Sequence, residues 1–142
     1  MFERLGQAND PAVIANAVEE LMRYLTIVHN QVDRVAIEDL TIGGQLIRAG
    51  DRVLMNLPAG NWDPEFVDNP EIFDIDRNTH GHLGFGYGVH QCIGQNVARV
   101  EMQVAFATLA RRLPRLKLAV PPGRLRFKEA DIYGMKELPV TW

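Results

Sequence analysis

Apolar residues recur at helical spacing in two stretches of the chain. The first follows Asp10 and Pro11, a pair that suits the cap and the first position of a helix, and it predicts a helix running to about Tyr24. The second stretch begins after Cys92 and predicts a helix that runs to about Arg112, because Pro114 stops it. Residues 1–8 resemble the end of a further short helix. The buried stripe of the first helix comprises Val13, Ile14, Ala17, Val18, Leu21 and Leu25.

Between the two long helices the pattern changes to short apolar segments that alternate only in part. We expect β structure over residues 26–57, with a hairpin turn at Gly43-Gly44 and a buried strand over residues 53–57. Residues 58–81 are rich in Pro, Gly, Asn and Asp but include aromatic residues that need burial, which predicts an ordered meander. Strand-like segments recur in the tail over residues 118–142. The predicted fold class is mainly α with small β-sheets.

Composition narrows the class of protein. A chain of 142 residues with 46% hydrophobic and 23% charged residues is ordinary for a single globular domain. The formal net charge of −3 indicates no nucleic-acid partner. No apolar run has membrane-spanning length and the first residues do not resemble a signal peptide, so we expect no membrane association. One cysteine excludes an intramolecular disulfide and favours a cytoplasmic location.

The single cysteine lies in a glycine-rich segment, directly before the second long helix. This segment, residues 82–94, has the sequence His-Leu-Gly-Phe-Gly-Tyr-Gly-Val-His-Gln-Cys-Ile-Gly. Its alternating glycines lack the side chains that a core strand packs, so we predict a sharply turning loop that lies close to something flat or bulky. Cys92 then stands where the loop becomes a helix, and the unpaired N–H groups of that helix end favour an anion.

A thiolate at this position is a soft ligand that suits zinc, an iron–sulfur cluster or heme iron. One cysteine cannot hold an iron–sulfur cluster, whereas a single thiolate on heme iron needs no other protein ligand because the porphyrin supplies four nitrogens. Three alternatives stay open. A zinc site could combine Cys92 with His80, His82 and His90, which form two closely spaced pairs with it. The thiol could also be a nucleophile beside a histidine, or an inert small hydrophobe.

The loop resembles the heme-binding loop of the cytochrome P450 family, the heme-thiolate monooxygenases, through the pattern Phe85-Gly86-x-Gly88-x-His90-x-Cys92-x-Gly94. Glu20-x-x-Arg23 on the first long helix resembles a second signature of that family. The resemblance implies that this pair is buried and ties the helix to the loop beneath the heme. Relatives usually offer arginine or histidine to this pair at the position of Ile72. Arg77 is the nearest candidate to replace it.

The resemblance implies heme b (iron protoporphyrin IX) as the cofactor and Cys92 as the ligand of its iron. It implies that Arg34 pairs with a heme propionate, for which a planar guanidinium is well shaped. His82 is expected to reach another propionate and His90 to make a third contact. The residues that the resemblance assigns to cofactor binding are Arg34, His82, Phe85, His90 and Gly94.

The implied activity is monooxygenation of a small organic substrate with O2. Residues 27–29 and the tail around Tyr133 are expected to face the substrate. The family receives a ferredoxin-type electron donor on the cysteine side, and we expect the same of the basic cluster formed by Arg99, Arg111, Arg112, Arg115 and Lys117.

The resemblance covers essentially the whole chain but only the C-terminal portion of the family. We expect residues 1–142 to form a single C-terminal heme-binding portion, without the N-terminal helical portion and without the long distal helix that carries the oxygen-activation motif. An alternative function is therefore a truncated, non-catalytic heme-binding fragment. Four residues of the second long helix should lose their usual cover, namely Val97, Val100, Val104 and Phe106.

Overall fold

The structure is a computed structural model that describes residues 2–29 and 32–142, and it begins with two helices joined by three residues. Helix α1 spans Phe2–Gln7 and helix α2 spans Pro11–Leu25. The Asp10 side chain accepts a hydrogen bond of 2.9 Å from the backbone N–H of Ala12. This confirms the predicted start of the first long helix, in which Asp10 satisfies an N–H group left over by the helix.

Four short strands follow, β1 (Asp33–Val35), β2 (Leu40–Ile42), β3 (Gln45–Ile47) and β4 (Arg52–Leu54). Strands β2 and β3 form the predicted hairpin, and Gly43 and Gly44 at its turn have φ values of 56° and 80°. Such positive φ values are costly for residues with a side chain, which explains the glycine pair. Strand β1 pairs antiparallel with β4. The predicted β region also includes Asn30 and Gln31, which lie outside the described residues.

The prediction of a buried strand over residues 53–57 was wrong. Strand β4 ends at Leu54, and Leu54 and Met55 are exposed because a two-stranded sheet offers no second layer to cover them. Leu57 instead begins helix α3 (Leu57–Asn61). The Asn56 side chain caps this helix, because its Oδ1 accepts a hydrogen bond of 3.1 Å from the N–H of Ala59. A cap followed by proline in the first turn is a helix start signal, and here it overrides the apolar run.

The second long helix, α4, spans Gln95–Arg112, as predicted. A single 3₁₀ turn at Gly88–His90 precedes it, and strands β5 (Lys117–Leu118) and β6 (Val140–Thr141) pair in the tail. Each sheet of the described ranges has two strands. The architecture is therefore mainly helical with small antiparallel sheets, which confirms the predicted fold class. None of the described helices has the length together with the apolar character needed to span a bilayer.

The core lies where α1, α2 and α4 meet. Its buried side chains are Leu5, Ile14, Ala17, Ile75 and Ala110. The expected loss of cover on α4 is confirmed for Val97, Val100 and Val104, which are each at least 60% exposed. It was wrong for Phe106, which packs against this core. Helix α4 thus turns one side to the core and leaves an uncovered apolar face on the other.

Candidate functional site

An apolar cavity of about 750 Å³ lies between the end of α2, the turn that follows it and the glycine-rich loop. The residues that line it come from three parts of the chain: Met22, Ile27 and Val28, then Val32, Arg34, Met55 and Leu57, and finally residues 83–90 with Cys92. The volume falls in the range of small-molecule and cofactor sites, roughly 300–1,000 Å³. Cys92 is an exposed residue with a free thiol, and it is one of the residues that line the cavity.

Glycine geometry explains the path of the loop. Gly86 and Gly88 have φ values of 73° and 67°, a left-handed conformation that disfavours other residues. A Cβ atom on Gly84 would lie 2.7 Å from the carbonyl oxygen of Met22, so the loop contacts α2 at a distance that only glycine permits. The Cys92 N–H then donates to the Phe85 carbonyl at 2.8 Å. These contacts fix the backbone on both sides of the turn that carries the cysteine.

An arginine and a histidine also line the cavity, Arg34 on β1 and His90 on the loop. Both are exposed, and Arg34 donates from Nη1 to the carbonyl of Asp33 at 2.8 Å. A guanidinium and an imidazole beside an otherwise apolar cavity can bind the carboxylates of a ligand whose body is apolar. Gly94 precedes α4, and a Cβ atom there would lie 3.9 Å from the Cys92 sulfur.

His82 is placed differently from these residues. It is buried, and its Nε2 lies 3.0 Å from Oε2 of Glu19. Its Nδ1 accepts a hydrogen bond of 2.9 Å from the N–H of Gly84. Because Nδ1 is an acceptor, the proton of a neutral ring lies on Nε2 and is donated to Glu19. Both ring nitrogens are thus engaged within the protein.

Glu19 receives further hydrogen bonds from Arg99 on α4, from Nε at 2.6 Å and from Nη2 at 3.0 Å. Burial acts to raise the pKa of Glu19, but the hydrogen bonds from His82 and Arg99 and the charge of Arg99 outweigh it and lower the pKa from 4.5 to about 2. The guanidinium of Arg99 also lies over the Phe85 ring, 4.4 Å from its centroid. The cluster joins α2, the loop and α4.

A second ionic network lies deeper in the protein. Glu20 and Arg23 are fully buried, and Nε and Nη2 of Arg23 donate to the two carboxylate oxygens at 2.7 and 2.8 Å. The remaining Arg23 donors reach the carbonyls of residues 61, 70 and 72. Nε of Arg77 lies 3.8 Å from Oε1 of Glu20. Arg77 is therefore a third charged side chain beside the pair, although this contact is too long for a hydrogen bond.

Comparison with known proteins agrees with this geometry. The family model described as Cytochrome P450 matches residues 10–126. The chain belongs to the cytochrome P450 family. It is 51% identical to cytochrome P450 GfsF of Streptomyces halstedii over 95% of this chain and 33% of that protein, and 50% identical to cytochrome P450-SU2 of Streptomyces griseolus over 94% and 33%. This cytochrome P450 chain thus spans about a third of the length of the curated relatives it matches.

Solved cytochrome P450 structures have the same fold over nearly the whole chain. The crystal structure of GfsF superposes with a TM-score of 0.96 at 48% identity, covering 99% of this chain and 36% of that one. The structure of CYP105P1 in complex with filipin I gives a TM-score of 0.90 at 52% identity, covering 94% and 34%. These similarities confirm the predicted assignment to the P450 fold.

Heme is the cofactor of cytochromes P450, and the residues present fit it. An accessible thiol lies at the wall of an apolar cavity that Arg34 and His90 also line. The zinc alternative lacks this support, because among the residues that the structure describes no three His, Cys, Asp or Glu side chains are grouped to hold a metal ion. Burial of His82 against Glu19 removes one of the four ligands which that alternative needs.

Sequence analysis missed Glu19 and assigned Arg99 to the basic surface cluster. The structure corrects this assignment, since Arg99 uses Nε and Nη2 for Glu19 and Nη1 for the Gln95 side chain. Glu19 and Arg99 are 80 residues apart, and no local pattern joins them. One signal in the sequence could have pointed to Glu19, namely its position next to Glu20 on a helix with a buried face.

Proposed function

We propose that this chain is the heme-binding portion of a cytochrome P450 monooxygenase, with Cys92 as the thiolate ligand of heme b. The observation that carries the proposal is that Cys92, an exposed residue with a free thiol, lines an apolar cavity of about 750 Å³. We propose the extent of this portion as residues 1–142, a single C-terminal unit of the family fold. The family model and the relatives support the activity at the level of the family.

Arg34 and His90 are the residues that we propose for the heme propionates, because both line the cavity and end in groups that pair with carboxylates. Phe85 and Gly94 flank Cys92 in the loop and would lie beside the ring. His82 supports the loop instead, since its nitrogens are committed to Gly84 and Glu19. This assignment differs from the propionate contact that the resemblance implied for His82.

A bound heme supplies the oxidation chemistry, and a thiolate ligand increases its electron density in favour of cleaving the O–O bond. The protein contributes the sulfur ligand and the apolar walls of the cavity. Ile27 and Val28 line the same cavity, so we propose that they contact a small organic substrate held there together with O2. His29 follows Val28 in the chain, and its ring stacks on the ring of Tyr133 with centroids 4.7 Å apart.

A ferredoxin-type electron donor is the proposed protein partner. The exposed basic residues at the end of α4 and just after it form a surface suited to an acidic protein, and they are Arg111, Arg112, Arg115 and Lys117. Arg99 is left out of this surface because it is bound to Glu19. Electrostatic docking of this kind is screened by salt, so a rate of heme reduction that is independent of ionic strength would contradict it.

A heme-binding fragment without catalysis is the alternative that we keep beside this proposal. The apolar face of α4 is exposed, and the chain spans about a third of its relatives. We expect the 142 residues alone to bind heme but to oxidise substrate with little or no turnover.

Spectrophotometric heme titration, followed by turnover assays with a ferredoxin and its reductase, checks both statements. A saturable complex with negligible product supports the fragment. Efficient oxygenation by the isolated chain would show that this expectation is wrong and that the portion is catalytically complete. Failure to bind heme at all would contradict the proposed function itself.

A further inference from the structure

Three charged or polar side chains meet beside the cysteine loop, and none of the three is among the residues proposed above to contact heme or substrate. Glu19 comes from α2, His82 from the start of the loop and Arg99 from α4. The side chains of Glu19 and His82 are 9% and 1% exposed, and that of Arg99 is 25% exposed. The carboxylate accepts three hydrogen bonds of 2.6 to 3.0 Å from the other two side chains.

Contacts continue from this cluster to the cysteine along two routes. In one, Arg99 lies over the ring of Phe85, whose carbonyl accepts the N–H of Cys92 at 2.8 Å. In the other, His82 accepts the N–H of Gly84, the residue before Phe85, at 2.9 Å. Both the ring and the backbone at residues 84–85 are therefore held by side chains that converge on Glu19.

The negative charge of Glu19 is needed by both routes. It fixes Arg99 by two parallel hydrogen bonds, the geometry in which a guanidinium is most strongly held. It also fixes His82 as the tautomer whose Nδ1 is free to accept from Gly84. Without the charge, Arg99 loses its buried partner and the orientation of the His82 ring is no longer determined.

We propose that Glu19 is a positioning residue of the heme-thiolate site, which through Arg99 and His82 holds the Phe85 ring and the loop backbone so that the Cys92–iron bond persists. This inference rests on the proposed function. It assigns to Glu19 control of the lifetime of the sulfur ligation, and it distinguishes Glu19 from Glu20, whose carboxylate faces Arg23 and the meander.

The test compares heme-loaded Glu19→Gln with the unchanged protein. The thiolate-type red-shifted Soret band of the reduced carbon monoxide complex is followed over time at fixed temperature, and far-UV circular dichroism is recorded on the same samples. Glutamine has the same shape but no charge. We expect the band to decay about tenfold faster, the factor that corresponds to weakening a charged hydrogen bond, while the helix signal stays constant.

Two further variants keep the outcome decisive. Asp76→Asn is the matched control, because Asp76 forms an exposed ion pair with Arg4 away from the loop, and its band should decay at the unchanged rate. Arg99→Lys keeps the positive charge but loses the planar group over Phe85, so it should accelerate decay even where Glu19→Gln fails to fold.

Decay at the unchanged rate in a folded Glu19→Gln or in Arg99→Lys would overturn the inference and leave the proposed function intact. Loss of the helix signal in step with the band would also overturn it, because the role would then be structural only. If the unchanged protein shows no thiolate-type band, the proposed function fails and this inference fails with it.

Discussion

Cys92→Ser should lose the thiolate-type Soret band of the reduced carbon monoxide complex entirely. Cys92 is the single cysteine of the chain, so no second sulfur can replace it. A serine hydroxyl is a hard, neutral group and does not substitute for a soft anionic ligand of heme iron. The side chain is exposed and the replacement is nearly isosteric, so the fold should be retained. The measurement is the optical difference spectrum of the purified, heme-loaded variant.

His90→Gln is the matched control for this result. His90 lines the same cavity and lies two positions from Cys92, but the proposal gives it a propionate and not the iron. The band should keep its position in this variant, with weaker heme binding. A Cys92→Ser protein that retains the band, or a His90→Gln protein that loses it, would contradict the assignment of the iron ligand.

Arg23→Leu should cause the largest loss of stability among single replacements of charged residues in the chain. The change leaves the carboxylate of Glu20 fully buried without its partner. It also removes the hydrogen bonds that Arg23 donates to three backbone carbonyls of the meander. Removing one member of a buried ion pair costs about 3–5 kcal/mol in the free energy of unfolding. Urea unfolding followed by circular dichroism measures the difference.

The matched control is Arg4→Leu, which breaks an ion pair between side chains that are 55% and 62% exposed. Water and salt screen that pair, so its removal should change the free energy of unfolding very little. Equal urea midpoints for the two variants would mean that the buried network does not hold the meander against α2. A failure of Arg23→Leu to fold, with Arg4→Leu folding normally, agrees with the expectation.

Local signals accounted for the elements that the sequence predicted correctly. Asp10 and Pro11 begin α2, the Gly43-Gly44 pair forms the hairpin turn, and the helix after Cys92 ends before Pro114. Each depends on backbone conformation or on a neighbour in the chain, and is therefore visible in a few consecutive residues. Leu57 was mistaken for strand because an apolar run outweighed the capping signal of Asn56.

Long-range contacts account for what the sequence did not predict. The spacing of Glu20 and Arg23 places them on one face of a helix, and the family resemblance implied their burial. The backbone carbonyls that hold Arg23 were not predicted, because they come from a meander some 40 to 50 residues later. The partner of His82 is Glu19, on the helix before the sheets, whereas the motif alone suggested a heme propionate. Arg99 was assigned to the surface for the same reason, since its ion pair is invisible without the fold.

The central claim is that the sulfur of Cys92 bonds to heme iron, and X-ray absorption at the iron edge of the heme-loaded protein tests it most directly. The account predicts one sulfur scatterer in the first coordination shell of the iron besides the porphyrin nitrogens, and its loss in Cys92→Ser. A first shell of nitrogen and oxygen alone in the unchanged protein would contradict the claim.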